Sequence, residues 1–471
     1  MVRDKQFYKT ILRIALPSAF QSLVSLAVTY LDDLMVSWID KPQLLGLSAG
    51  SPVTDLGNLA LTGVGQTNSL TSFFTAMVLG LTSGSGVLIA QYWGKKDVRR
   101  IKQVFPLVTL LTLCVSLVFV LLARLCPGPL LRLVLSSSSS ASSGEAFQIA
   151  VRYFSIVAFS YIPYALAYSM VGMLRAVEVV KVTLYITVGA MFVNLFFNYA
   201  LIFGHFGFPA LGVEGAAIAT ILARVTELLI VWLYAFRVQK AIDIHPRDLV
   251  RSPFALWTDY RRYGLPVGLG DAQWSLVGLF KSAIIGHLAV EAIAAYRAAE
   301  MMMSMGMIFT NALAAGACVV IGKTVGQKDY QRTRAYSNTI QVLFACFGVL
   351  MCLIVFCLRG VFVDAYGLTG QAPVYAKQMI ALGAITLMGT TYHASCFVGI
   401  NRGAGDGRFV MIVDLICGWL VVLPFSYLAA YVFKLSPALV FLFLRIDQCF
   451  KWIIAFLRLR GDKWIKNVTR D

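Results

Sequence analysis

Gly84-Ser85-Gly86-Val87-Leu88-Ile89-Ala90-Gln91-Tyr92-Trp93-Gly94-Lys95-Lys96-Asp97 and Gly316-Ala317-Cys318-Val319-Val320-Ile321-Gly322-Lys323-Thr324-Val325-Gly326-Gln327-Lys328-Asp329 spell nearly the same sentence twice. Each is an apolar helix with a basic end, one copy in each half of the chain. Internal duplication of a hydrophobic unit points to a membrane protein whose two repeats enclose a central pathway.

Composition agrees with that reading. Hydrophobic residues make up 59% of the 471-residue chain and charged residues only 13%, against about 25% charged in soluble domains. Apolar runs of about 20 residues recur, each long enough to cross a hydrocarbon core of roughly 30 Å as a helix. A β-barrel is excluded, since its strands alternate rather than stay apolar for so long. The polar opening Met1-Val2-Arg3-Asp4 leads straight into an apolar run with no small-residue cleavage site, so no signal peptide is expected. The nine cysteines are odd in number and fall mostly inside apolar runs, where they act as small hydrophobes rather than as a disulfide framework.

About twelve spans are expected, near 11–38, 68–93, 103–126, 148–174, 182–203, 213–236, 264–289, 298–322, 336–358, 376–400, 409–432 and 436–457. The net charge of +17 comes from short loops between them. With a cytoplasmic start, Lys95, Lys96, Arg99, Arg100, Lys240, Arg261, Arg262 and Lys328 all fall on the cytoplasmic side, while the opposite loops are nearly bare. Membrane orientation, not nucleic acid, therefore accounts for the charge, and both termini are expected in the cytoplasm. The basic stretch 237–262 divides an N-terminal six-helix lobe, 1–236, from a C-terminal one, 263–471. Six spans is an even number, so the lobes enter from the same side as parallel repeats related by a pseudo-twofold axis. Leu16-Pro17 matches Leu265-Pro266, and Gly172-Met173-Leu174-Arg175 matches Gly399-Ile400-Asn401-Arg402. The serine tract 136–143 reads as a flexible external loop.

Ala15-Leu16-Pro17 with Asp32, Gly80-Leu81 through Asp97, Asn194 with Asn198, and Arg402-Gly403-Ala404-Gly405-Asp406, in that order on a duplicated frame, resemble the multidrug and toxic compound extrusion (MATE) family across nearly the whole chain. The resemblance implies an all-α fold of two six-helix lobes around a V-shaped cleft. It also implies export of small organic, often cationic, molecules driven by inward proton or sodium flow, and a bacterial inner-membrane location. No other cofactor is implied, and the duplicated frame lets one chain form the pathway as a monomer.

Asp32 and Asp33 lie inside the first span, where a carboxylate costs about 2.5–3.5 kcal/mol on insertion scales. Such a cost calls for a role. The resemblance places the coupling acid at Asp32, which either loads and releases a proton or stays ionised and ligates sodium with neighbouring oxygens. Asn194 and Asn198 are one turn apart and share a helix face. In the family that face looks toward the first-span acid, with Thr220 completing the set. Asp32, Asn194 and Asn198 would be metal ligands only under sodium coupling. Pro17 frees a backbone carbonyl and can bend its helix; the family pattern ties that bend to the acid's protonation.

The second half departs from the pattern. One branch carries a seventh-span glutamate where this chain has Trp274, beside Gln273 and one turn after Asp271, and a tenth-span acid where it has Thr391, Tyr392 and His393. Fifteen residues after Pro266 stands Lys281, as Asp32 stands fifteen after Pro17, so opposite charges are expected at equivalent depths. Asp33, Asp271, Gln273, Lys281, His393, Met301 and Met305 are candidate cleft or substrate residues; thioethers suit a site tolerant of varied ligands. Arg224 with Glu227, and Arg297 with Glu300, are expected to pair internally. Two other functions make different demands on the sequence. A lipid-linked saccharide flippase needs a strongly basic cleft. An intramembrane transferase needs clustered acids or a convergent His/Asp pair, which four histidines do not supply, so no enzymatic activity is expected.

Overall fold

A backbone in lipid has to satisfy its own hydrogen bonds, so each apolar run folds as a helix. The computed structural model describes residues 2–45, 56–134, 143–240, 242–249, 254–286 and 288–469, and among them there is no strand. The N-terminal lobe comprises α1 (Lys5–Ser37), α2 (Leu56–Lys95), α3 (Val98–Leu125), α4 (Gly144–Ala176), α5 (Lys181–Phe203) and α6 (Val213–Val238). The C-terminal lobe comprises α7 (Leu265–Gly286), α8 (Val290–Gly326), α9 (Tyr330–Tyr366), α10 (Ala372–Ala394) and α11 (Gly407–Val432). Its last element, α12, comes in two pieces, Pro437–Phe443 and Lys451–Arg460. Most of the serine tract, 136–142, lies outside the described residues.

The repeated motif turns out to be a corner as well as a helix end. Lys96 and Lys328 adopt left-handed backbone conformations with φ of 61° and 60°. Asp97 and Asp329 then cap α3 and α9 by accepting from the backbone N–H groups of Arg100 and Arg332. A short acceptor at the start of a helix fills one of its orphan donors, so both copies of the motif end one helix and begin the next in the same way.

Two sequence expectations change. The twelfth span, expected unbroken over 436–457, is interrupted by a 3₁₀ turn at Ile446–Cys449, because Asp447 and Lys451 turn into the lobe and are almost fully buried. Glu300 pairs with Arg445 at 3.3 Å rather than with Arg297. The Arg224–Glu227 pair forms as expected, at 2.7 Å.

Contacts between the lobes gather at the end of the bundle where α1 begins and α12 finishes. A methyl group placed on Gly84 would lie 2.2 Å from the Gly264 carbonyl oxygen, and one on Gly94 would lie 2.1 Å from that of Lys323. Glycine is what lets α2 approach α7 and α8 so closely. The same end is tied by polar contacts. The Asp4 carboxylate accepts from Arg332 Nη2 and from the Tyr336 hydroxyl, both at 2.7 Å, and Lys323 pairs with Glu178. Buried Gln91 donates to the Gly403 carbonyl at 3.1 Å and accepts from the Val468 N–H at 2.8 Å. Gly84→Leu is expected to wedge this end apart, at a cost of about 1–3 kcal/mol for overpacking. Pulsed electron-resonance distances between labels at the exposed positions Lys5 and Ala335 should lengthen; an unchanged distance counts against the glycine contact as a determinant of closure.

Candidate functional site

Within the N-terminal lobe, α1, α2, α4, α5 and α6 enclose a polar cavity of about 180 Å³. Asp32 and Asp33 reach its wall from α1, Asn194 from α5, and Thr220, Arg224 and Glu227 from α6. Tyr153, Tyr161 and Tyr164 line it from α4. The helical spacing of Asn194 and Asn198 puts both amides on the face of α5 that meets α1. Asn198, fully buried, donates through Nδ2 to Asp32 Oδ1 at 2.5 Å and to Asn194 Oδ1 at 3.3 Å. Its own Oδ1 is buried without a hydrogen-bond partner among the described residues. Thr220 turns its hydroxyl to the Ala216 carbonyl at 3.0 Å and borders the same cavity.

The charges around this cavity do not balance. Glu227, 1% exposed, is held by Arg224, whose guanidinium also lies 5.0 Å from the centre of the Tyr164 ring. Asp32 and Asp33 form no salt bridge among the described residues. Three carboxylates against one guanidinium give a formal excess of two negative charges when all are ionised. In a site of low dielectric such an excess attracts cations strongly. A buried amide oxygen without a partner is an added acceptor for a bound proton donor, water or metal ion.

Other candidates fall elsewhere. Pro17 sits within α1, which stays helical through it, and Ala15 and Ala19 on either side pack against Ala312 of α8. Asp271 forms a two-pronged pair with Arg402 at 2.6 and 3.2 Å. Gln273 accepts from Trp419 Nε1 at 3.2 Å. Lys281 is not beside Asp32; its ammonium lies 4.9 Å from the Trp274 ring centre, on the side of Asp447, Arg445 and Glu300. His393 places Nδ1 3.1 Å from the Gly389 carbonyl. Met302 and Met303 are core residues packed in the C-terminal lobe, while Met301 is half-buried and Met305 exposed, and neither borders the acidic cavity.

Sequence reasoning missed the C-terminal counterpart. Lys451, 1% exposed, sits between Asp414 at 3.0 Å and Asp447 at 2.9 Å, with its ammonium 4.1 Å from the Trp274 ring centre. The signal was available as Asp447 and Lys451 spaced one turn apart near an apolar run, but the third member comes from α11.

Comparison with known proteins bears on this geometry. The family model described as MatE matches residues 51–200 and 266–428. The chain is 26% identical over 372 residues to a probable multidrug resistance protein NorM of Bacillus cereus, covering 79% of this chain and 80% of that protein. It is 24% identical over 415 residues to the uncharacterized transporter YisQ of Bacillus subtilis, covering 86% and 88%. A solved structure described as the outward-facing conformation of a multidrug resistance MATE family transporter of the MOP superfamily superposes with a TM-score of 0.81. It shares 18% identity and covers 98% of this chain and 97% of its own.

Proposed function

The chain belongs to the MATE family of multidrug efflux transporters, and from that membership we propose that it is a cation-coupled antiporter exporting amphipathic, often cationic, organic molecules across the bacterial inner membrane. The observation that carries this reading is the acid-rich cavity in which Asp32 meets Asn198. A proton or sodium ion entering there removes one negative charge from the wall. The state that prefers a cationic drug then prefers it less, and linkage requires the drug to weaken ion binding by the same factor. The substrate is the cargo and the coupling ion the only other ligand; no nucleotide or further cofactor takes part.

The arrangement of the lobes supports alternating access. With both termini cytoplasmic, as the loop charges indicate, the closed end built on Gly84, Gly94 and Gln91 faces the cytoplasm and the cleft opens outward. Return to the inward-open state then requires the Asp4–Arg332 and Glu178–Lys323 contacts to part. A single chain contains the entire pathway in this scheme and works as a monomer. A saccharide flippase would bind pyrophosphate in a basic cleft, which the negative excess of the N-terminal cavity disfavours.

The test is purified protein in sealed vesicles loaded with a fluorescent organic cation. An imposed proton gradient, or a sodium gradient, is expected to drive dye uphill, and collapse of that gradient to stop it. Dye movement that follows only its own gradient under both conditions overturns the coupling.

A further inference from the structure

A second cavity, of about 230 Å³ and largely apolar in its lining, lies between the lobes beside the Gly84–Gly264 contact. Thr82 and Ser83 of α2 and Tyr168 and Arg175 of α4 line it from the N-terminal lobe, and Asp271 of α7 and Cys318 of α8 from the C-terminal lobe. Arg175 is half-buried, its Nε is buried, and among the described residues its guanidinium has no carboxylate or other hydrogen-bond partner. Its outer nitrogens are not fully buried, and the planar fork they form matches a carboxylate or phosphate.

The repeat explains why no carboxylate among the described residues pairs with this arginine. Arg402 occupies the matching place in the other lobe, after Gly399 as Arg175 is after Gly172. There Asp271, five residues beyond Pro266, grips the guanidinium with both oxygens. Five residues beyond Pro17 the N-terminal lobe has Ser22. The carboxylate is missing from one copy of the repeat only. Asp271 is already engaged with Arg402, so the cavity keeps a net positive charge at Arg175.

We propose that this cavity is an anion subsite in which Arg175 holds the acidic group, carboxylate or phosphate, of an exported organic molecule. The inference rests on the export reading and extends it, since a molecule with both an amine and an acid finds opposite charges in the two cavities of one protein. Headgroups of anionic lipids offer the same chemistry as such a substrate.

Matched dyes separate these cases. The full chain is placed in nanodiscs of phosphatidylcholine, and the equilibrium binding of rhodamine B, which carries a free carboxylate, is compared with that of its ethyl ester. Arg175→Gln is expected to weaken rhodamine B by about tenfold or more, the loss of a charge-assisted hydrogen bond, and to change the ester by less than about twofold. Arg175→Lys, which keeps the charge, should recover part of the difference; retained ester binding shows that the variants are folded. Equal effects on both dyes, or none on either, overturn the subsite.

Cys318 gives a readout that does not depend on export. In a chain where the other cysteines are replaced by serine, a negatively charged methanethiosulfonate is expected to label Cys318 several-fold faster than a positively charged one, and Arg175→Gln to abolish that preference. A preference untouched by Arg175→Gln overturns the anion site. If the parent neither binds nor exports the ester, the export reading fails while the labelling still decides the site. If adding phosphatidylglycerol abolishes the preference in the parent, the occupant is lipid and the substrate assignment falls.

Discussion

Asp32→Asn is expected to leave a folded protein that binds an organic cation yet no longer concentrates it. The substituted amide is nearly isosteric with the carboxylate, and its oxygen accepts from Asn198 Nδ2 where Asp32 Oδ1 now does, so the contact between α1 and α5 persists. What disappears is the charge. Without it the site neither takes up a proton nor balances a sodium ion, and the two states of the transporter lose their differential ion affinity. Exchange of one entering ion for one leaving monovalent cation moves no net charge, so the ion's own concentration gradient is the driving force, and a tenfold ion gradient, about 1.4 kcal/mol, sustains a roughly tenfold dye gradient. In the variant that ratio should fall to about one while equilibrium dye binding stays measurable. A variant that holds the parent's gradient would remove Asp32 from coupling. The neighbouring carboxylate, Asp33, would then be next to test, since it borders the same cavity.

Lys451→Met is expected to be among the most destabilising single changes in the chain. The ammonium is almost completely buried and is shared between two carboxylates, Asp414 and Asp447, of which Asp447 has no exposed surface. Removing one partner of a buried ion pair costs about 3–5 kcal/mol, mostly because the remaining charge stays desolvated and unpaired. Thermal unfolding of the purified protein should show a marked fall in the transition for Lys451→Met. Adding Asp414→Asn and Asp447→Asn in the same chain should recover most of it, because neutral amides hydrogen-bond without a counter-ion. A single variant that unfolds with the parent would mean the ammonium is not the counter-charge the geometry indicates.

The two lobes differ in how their buried charges balance. In the C-terminal lobe Asp414, Asp447 and Glu300 meet Lys451, Lys281 and Arg445, three charges of each sign. The N-terminal cavity carries three acids against one arginine. A balanced network resists the entry of an ion, whereas an acidic excess invites one. The coupling ion is accordingly expected in the N-terminal lobe, and the C-terminal network is expected to hold α7, α11 and α12 together.

The sequence by itself determined that this is a duplicated helical membrane protein, because apolar run length is set by bilayer thickness and repeated motifs survive as repeated local structure. Asp97 and Asp329 cap their helices through neighbours three residues away, and Asn194 and Asn198 share a face through the helical period. Both are short-range facts that spacing encodes. Tertiary structure alone decided which charges meet. Lys451 finds Asp414 from 37 residues away, Arg402 finds Asp271 from 131, and Asn198 finds Asp32 from 166. The rotation of each helix about its axis chooses those partners, and that rotation follows from the close packing of apolar side chains over the entire lobe. For the same reason the lack of a carboxylate beside Arg175 among the described residues and the glycine approach of α2 to α7 became visible only once both repeats were in place.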